Sequence, residues 1–236
     1  MDNFTENKVY MNIVVTGASK GIGREIAKEL DQNGHKVLAI ARSQVALEAL
    51  EKETECLETL AIDLNEPKEE AQIKGVLNQW GRVDVLINNA GQLINKAFLK
   101  TTIADFQSMF QSNVLTAVSS IQLCSPYMKP GGHIVNISSM GGIQGSSKFS
   151  GLSAYSSSKG ALSILTECLA LELSEFNIKV NALALGAVQT EMLNQAFPDY
   201  KAPLSAQEMA KYICQFATEE HKYFNGQVLS VALGNP

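Results

Sequence analysis

A run of glycines between a short apolar strand and an amphipathic helix restricts this chain more than any other feature. Asn12–Thr16 is apolar and β-branched and leads directly into Thr16-Gly17-Ala18-Ser19-Lys20-Gly21-Ile22-Gly23. Apolar residues then recur at Ile22, Ile26 and Leu30, so a helix is predicted over 22–33, stopped at Gly34. A strand, a glycine turn and a helix in this order form the place where a doubly wound sheet binds a dinucleotide. Glycines let the backbone turn tightly and approach a pyrophosphate, and the free N–H groups of the helix start receive its negative charge.

The alternation continues. Strands are predicted at 36–41, 57–62 and 83–88, separated by helices at 44–52 and 69–80. A long helix over 103–127 carries apolar Phe106, Met109, Phe110, Val114, Val118 and Ile121, and Lys129-Pro130-Gly131-Gly132 follows as a sharp turn. A strand at 133–138, a helix at 154–176 and strands at 179–185 and 226–231 complete the order. Strands that are solid apolar runs suit a parallel sheet covered on both faces. No linker, repeat or low-complexity segment interrupts it, so one α/β domain over 1–236 is expected. Residues 1–10 are polar and read as a flexible extension, with Met11 a second possible start.

Composition narrows the function. A formal charge of −5 argues against a nucleic-acid surface, which needs a basic field. No apolar run approaches the ~20 residues of a membrane span, and the first residues lack a secretory signal. Cys56, Cys124, Cys168 and Cys214 are far apart, as are His35, His133 and His221, so neither a disulfide framework nor a metal site has suitable spacing. A reducing, cytoplasmic location is expected.

The stretch Tyr155-Ser156-Ser157-Ser158-Lys159 opens a helix. Residues four apart share a helix face, so the phenol and the ammonium address one small volume. A nearby cation favours the ionised phenol, whose ordinary pKa is ~10, and suits it to proton transfer near neutral pH.

With its G-x-x-x-G-x-G turn, Asn88-Asn89-Ala90-Gly91 after the fourth strand, and Tyr155 with Lys159, the chain resembles the short-chain dehydrogenase/reductase family over residues 12–234. The resemblance implies a single Rossmann-like domain, a doubly wound parallel sheet of about seven strands with helices on both faces. It implies that Gly17, Gly21, Ile22 and Gly23, with Ser19 of the same turn, cradle the cofactor's phosphates. Asp63 and Leu64 would meet the adenine, Asn89, Ala90 and Gly91 the ribose, and Val188 and Thr190 the nicotinamide amide. Thr190 also suits a helix N-cap, since a helix can begin at Glu191.

An acid at the end of the second strand would select NAD, but Ile40-Ala41-Arg42-Ser43 has Ala41 there. Arg42 offers a planar fork to a 2′-phosphate, and Lys20 adds a second cation, so the expected cofactor is NADP(H). By the same resemblance Tyr155 exchanges a proton with the substrate oxygen, while Lys159 holds the ribose hydroxyls and lowers the phenol's pKa. Ser139 hydrogen-bonds the substrate oxygen, and Ser138 bonds neighbouring backbone. Asn113, a polar amide within an apolar-periodic helix, would hold a water that links Lys159 to solvent.

Two departures from the family pattern stand out. The interval from Ser139 to Tyr155 is about three residues longer than usual, within the Gly/Ser-rich stretch 141–151, a lengthening that costs little loop entropy. Leu185-Gly186 replaces the usual Pro-Gly. The expected activity is the NADP(H)-dependent interconversion of a small-molecule carbonyl and a secondary alcohol. The alternative is a catalytically silent dinucleotide-binding regulator, which would have no need of Tyr155 or Lys159. The segment 191–204 is expected to cover the substrate. The helix over 154–176, apolar on more than one face, predicts an oligomer, and the resemblance implies a homodimer or homotetramer.

Overall fold

The computed structural model describes residues 10–233. The expected extension at 1–10 therefore lies, apart from Tyr10, outside the described residues. The chain alternates β1 (Asn12–Thr16), α1 (Gly21–Gln32), β2 (Lys36–Ala41), α2 (Gln44–Glu51), β3 (Glu58–Ala61), α3 (Glu70–Trp80) and β4 (Val83–Asn88). It continues through α4 (Ile103–Phe110), α5 (Thr116–Cys124), β5 (Met128–Ser139), α6 (Ser153–Glu172) and β6 (Lys179–Leu185). The last part holds β7 (Val188–Gln189), α7 (Glu191–Ala196), β8 (Leu204–Ser205), α8 (Ala206–Glu219) and β9 (Val228–Val231).

Seven strands form one parallel sheet in the order β3-β2-β1-β4-β5-β6-β9. Side chains alternate across it, so Ile13 and Val15 pack with Ile26, Leu30, Ile213 and Phe216 on one face. Val14 packs with Leu38, Ile40, Leu77 and Ile121 on the other. Each such side chain, fully buried, contributes roughly 1.5–3 kcal/mol, and a one-residue slip would turn every one to the wrong face.

Strand order reverses at β1, which pairs with β2 on one side and β4 on the other. Thr16 and Asn88 are register partners, so the turns that follow them leave the sheet side by side. The ligand crevice of a doubly wound sheet lies at such a reversal.

Several elements differ from the sequence expectation. The helix expected over 103–127 is interrupted by a π-turn at Gln111–Leu115 and closes in a 3₁₀ turn at Ser125–Tyr127. The turn expected at 129–132 instead lies inside β5. Val83 pairs with Met128 and Val85 with His133, so the intervening residues bulge around Pro130, which has no N–H, and Gly131 at φ +92°. Helix α6 ends at Glu172, and Asn177, at φ 54°, turns the chain into β6.

Helix α8 has no counterpart in the sequence reading, although its signals are present. Ser205 and Glu208 form a capping box, and Met209, Ala210, Ile213, Cys214, Phe216 and Ala217 are buried against the sheet face that carries α1.

Candidate active site

The glycine turn is held from below by the turn after β4. Asn89 Nδ2 donates to the carbonyls of Thr16 and Gly17, each at 3.2 Å, and the N–H of Ala90 donates to Thr16 Oγ1 at 3.1 Å. Gly17 and Gly21 take positive φ, 71° and 56°. A Cβ on Gly23 would stand 2.2 Å from Asn89 Nδ2 and 2.4 Å from the Gly17 carbonyl oxygen, so only glycine fits there. Lys20, at the N-cap of α1, makes no side-chain cap, and the first turn holds no acid. The opening N–H groups of α1 therefore remain available to an anion.

Beneath the second turn runs a buried polar chain. Asn88 Nδ2 donates to Asn136 Oδ1 (2.8 Å), Asn136 Nδ2 to Thr166 Oγ1 (2.9 Å), and Ser120 Oγ to Asn88 Oδ1 (2.5 Å). These bonds tie β4, β5, α5 and α6 together just below the cleft.

At the end of β5 the two serines diverge, because successive strand residues face opposite ways. Ser138 is buried, donates to the Lys159 carbonyl at 3.0 Å and shares a 2.9 Å bond with Ser163 Oγ, which fastens β5 to α6. Ser139 faces the cleft, hydrogen-bonds the Tyr155 phenol and accepts from the Gly141 N–H at 3.2 Å. One turn along α6 from Tyr155, Lys159 is buried, and its Nζ donates to the Ile137 carbonyl at 2.7 Å.

Burial dominates the titration of both groups. It pushes the Tyr155 phenol above its ordinary value, with the Ser139 hydrogen bond acting in the opposite direction, and it lowers Lys159 to about 8. The expectation that the lysine charge sets the phenol's pKa is thus replaced by desolvation as the leading cause.

Asn113 sits within the π-turn and is buried. Its Oδ1 accepts from the Gln92 N–H (2.7 Å), and its Nδ2 donates to the Gln92 carbonyl (3.0 Å) and to Ser158 Oγ (2.8 Å). A Cβ on Gly91 would lie 2.8 Å from Asn113 Oδ1 and 3.4 Å from Lys159 Nζ, so all three meet at one point. Extra backbone at a π-turn is a recurring way to aim one side chain inward.

These groups share a cleft of about 600 Å³, well within the range of small-molecule sites. Its lining includes every residue given a catalytic or cofactor role from the sequence except Gly23 and Asn113, which lie one layer behind. Arg42 and Lys20 are exposed at one end and have no ion-pair partner among the described residues. Asp63 Oδ1 accepts from the N–H and the side-chain amide of Asn65, both at 3.0 Å, and Leu64 is buried beside it. Val188 is buried at the cleft wall. Thr190 Oγ1 caps α7 by accepting from the Leu193 N–H at 3.2 Å, which leaves its own hydrogen free to donate. The Gly186 N–H donates to the Val231 carbonyl at 2.9 Å, so β9 fixes the Leu185-Gly186 turn.

Residues that support the cleft and to which the sequence alone gave no role include Thr16, Asn136, Thr166, Ser158 and Asn95. Their partners are distant in sequence, and only the Ser158 position, beside Lys159, gave a local hint.

A twisted parallel sheet with a glycine turn at its switch point, and a Ser–Tyr–Lys cluster at the carboxyl ends of its strands, define a dinucleotide-binding oxidoreductase. The model of the short chain dehydrogenase family matches residues 11–201, and the chain belongs to that family. It is 37% identical to carbonyl reductase [NADPH] 2 of Sus scrofa over 191 residues, covering 77% of this chain and 73% of that one. It is 35% identical to L-xylulose reductase of Bos taurus over 189 residues, covering 79% and 75%. The solved structure of ElxO with NADP bound superposes with a TM-score of 0.80 at 28% identity, covering 94% of this chain and 97% of that one.

Proposed function

We propose that the protein is an NADP(H)-dependent reductase of small carbonyl compounds, with Tyr155 as the proton donor. The observation that carries this reading is the meeting of Ser139, Tyr155 and Lys159 on one wall of the cleft that begins at the glycine turn. The cleft suits a dinucleotide: glycines leave room for a pyrophosphate, α1 offers uncapped N–H groups, and Arg42 and Lys20 stand where a 2′-phosphate would lie. The names of the porcine relative and of the ElxO structure point to the same cofactor.

The bound nicotinamide would supply the hydride. Tyr155, kept protonated at neutral pH by burial, gives its proton to the carbonyl oxygen. Ser139 donates a hydrogen bond to the same oxygen as negative charge develops there. Lys159, still largely cationic near pH 7, holds ribose hydroxyls and steadies the ionised phenol. Asn113 has both amide hydrogens engaged, so its Oδ1 is the atom left to accept from a water that returns protons to Lys159. Asp63, Leu64, Asn89, Ala90 and Gly91 line the adenosine side, and Val188 and Thr190 the nicotinamide side. The free thiols of all four cysteines suit a reducing compartment. Exposed Ile164 and Leu171 on α6 suit a homo-oligomer, which light scattering would report as a mass above 25.5 kDa.

Tyr155→Phe is expected to lower carbonyl reduction by about 10³-fold while NADPH still binds, as read by fluorescence titration. Undiminished turnover in this variant would sink Tyr155 as the proton donor, and NADPH binding with no turnover by the unmodified chain would favour the silent dinucleotide-binding reading. Arg42→Ala is expected to weaken NADPH binding about 10-fold and to leave NADH binding unchanged, in the same titration.

A further inference from the structure

The far end of the cleft has a character of its own. Its charged side chains, Lys20, Arg42, Asp63 and Glu191, belong to the cofactor side, with Glu191 beside Gly21, and Lys159 is engaged by the Ile137 carbonyl. Beyond Ser139 and Tyr155 the lining is mainly apolar, with Leu93, Leu152, Leu193, Phe149 and Phe197, and its polar atoms are those of Gln92 and the Tyr200 phenol. Phe149 comes from the lengthened segment before α6, and Phe197 follows α7. Their rings meet edge-on at the mouth, with centroids 6.4 Å apart and planes at 62°.

This mouth is fixed from three sides. Asn95 Nδ2 donates to the Ala196 carbonyl at 2.8 Å, and the Lys96 N–H donates to the Gly151 carbonyl at 2.9 Å. A Cβ on Gly151 would stand 2.0 Å from Asn95 Oδ1, so the two segments touch without space for a side chain. The lengthened segment is also folded rather than loose. Ser146 Oγ donates to the carbonyls of Met140 and Ile143, and Lys148 Nζ turns back onto the Ile143 carbonyl and Ser146. The extra residues thus carry an aromatic ring to the entrance, while their cation, Lys148, is engaged within the segment and is not among the lining side chains.

A carboxylate or phosphate on the substrate would find no cation among the side chains that line this end. A sugar chain carries more hydroxyls than Gln92 and Tyr200 can satisfy, and the rest would lose water against an aliphatic and aromatic wall. A flat apolar substituent would instead lie against two rings that already favour edge-to-face contact.

We infer that the substrate is an uncharged ketone or aldehyde whose apolar, planar substituent packs against the Phe149–Phe197 pair. This rests on the reductase reading above. It is tested with acetophenone, pyruvate and xylulose, by NADPH oxidation and, separately, by calorimetric binding to the protein loaded with NADP⁺. Acetophenone is expected to exceed the other two in kcat/KM by about 100-fold. Phe149→Ala and Phe197→Ala are expected to raise its KM and calorimetric Kd about 10-fold each, and Phe149→Trp to retain both, with NADPH affinity unaltered. Because Phe149 is half exposed, its alanine variant is expected to fold, which thermal melting checks. Acetophenone that binds through the two rings without being reduced would overturn the reductase reading and support the substrate class. Pyruvate or xylulose reduced as well as acetophenone, no binding of acetophenone at all, or an unchanged Kd in both alanine variants, would overturn the inference.

Discussion

Toward the amino end of β5, His133 is fully buried and both ring nitrogens are engaged. Nδ1 lies 2.9 Å from the Ala217 carbonyl, which must accept, and Nε2 lies 3.0 Å from the Asn181 amide nitrogen. Asn181 is itself completed by the Phe224 carbonyl and the Gln227 N–H. At the carboxyl end of the same strand, Lys159 is buried with one protein acceptor for three hydrogens, and Tyr155 and Ser139 bond mainly to each other. Both ends bury ionisable groups, and in both burial disfavours the charged form. They differ in whether hydrogen-bonding capacity is left over. A closed set of partners makes the first end structural, and an open set gives the second something to offer a ligand.

The sharpest way to break this comparison is to remove the open group. Lys159→Met is expected to lower turnover by about 10²–10³-fold and to weaken NADPH binding, with little loss of thermal stability, since an apolar chain replaces a desolvated charge. A large fall in melting temperature with cofactor affinity intact would mean that Lys159 is as structural as His133.

The second test lies at the closed end. Burial, with His221 nearby, lowers His133 to about 4, whereas the unfolded chain titrates near the ordinary value. The unfolded state therefore binds more protons between these values, and stability, fully present above pH ~6.5, falls as pH drops toward 4. The expected loss is about 3 kcal/mol, read from urea midpoints across that window. A flat profile there would show that the ring is less isolated than its partners imply.

The smallest effect sharpens the boundary between the two ends. Ser138→Ala should lower stability by ~1–2 kcal/mol and change kcat less than tenfold, because Ser138 joins β5 to α6 rather than facing the cleft. Chemical denaturation and steady-state rates on one preparation would check both numbers.

The parts of the molecule legible in the sequence are those whose cause is local. The G-x-x-x-G-x-G turn, the alternating strands and the four-residue interval from Tyr155 to Lys159 all follow from neighbouring residues, and the sheet they imply is the sheet observed. Helix α8 was equally local, with its Ser205/Glu208 capping box in plain view. The bonds of Asn88 to Asn136 and of Asn136 to Thr166 span 48 and 30 residues, and nothing near either end announces the other. The π-turn at Asn113 preserves an ordinary helical pattern on both sides, so its extra residue leaves no mark in the periodicity. Phe149 became a wall of the cleft only because Gly151 and Asn95 bring its segment against the turn after β4.

The clamp of Asn89 and Ala90 on Thr16 and Gly17 also has a kinetic consequence. It closes contacts 72–74 residues apart, across a pair of strands between which α1, β2, α2, β3 and α3 intervene in the chain. Loops of that length close slowly, and the phosphate turn reaches its shape only after they do. A dinucleotide that binds there recognises the assembled sheet and not its first βαβ unit. By mass action its binding would stabilise the finished state, by about 2.7 kcal/mol at a concentration 100 times its Kd.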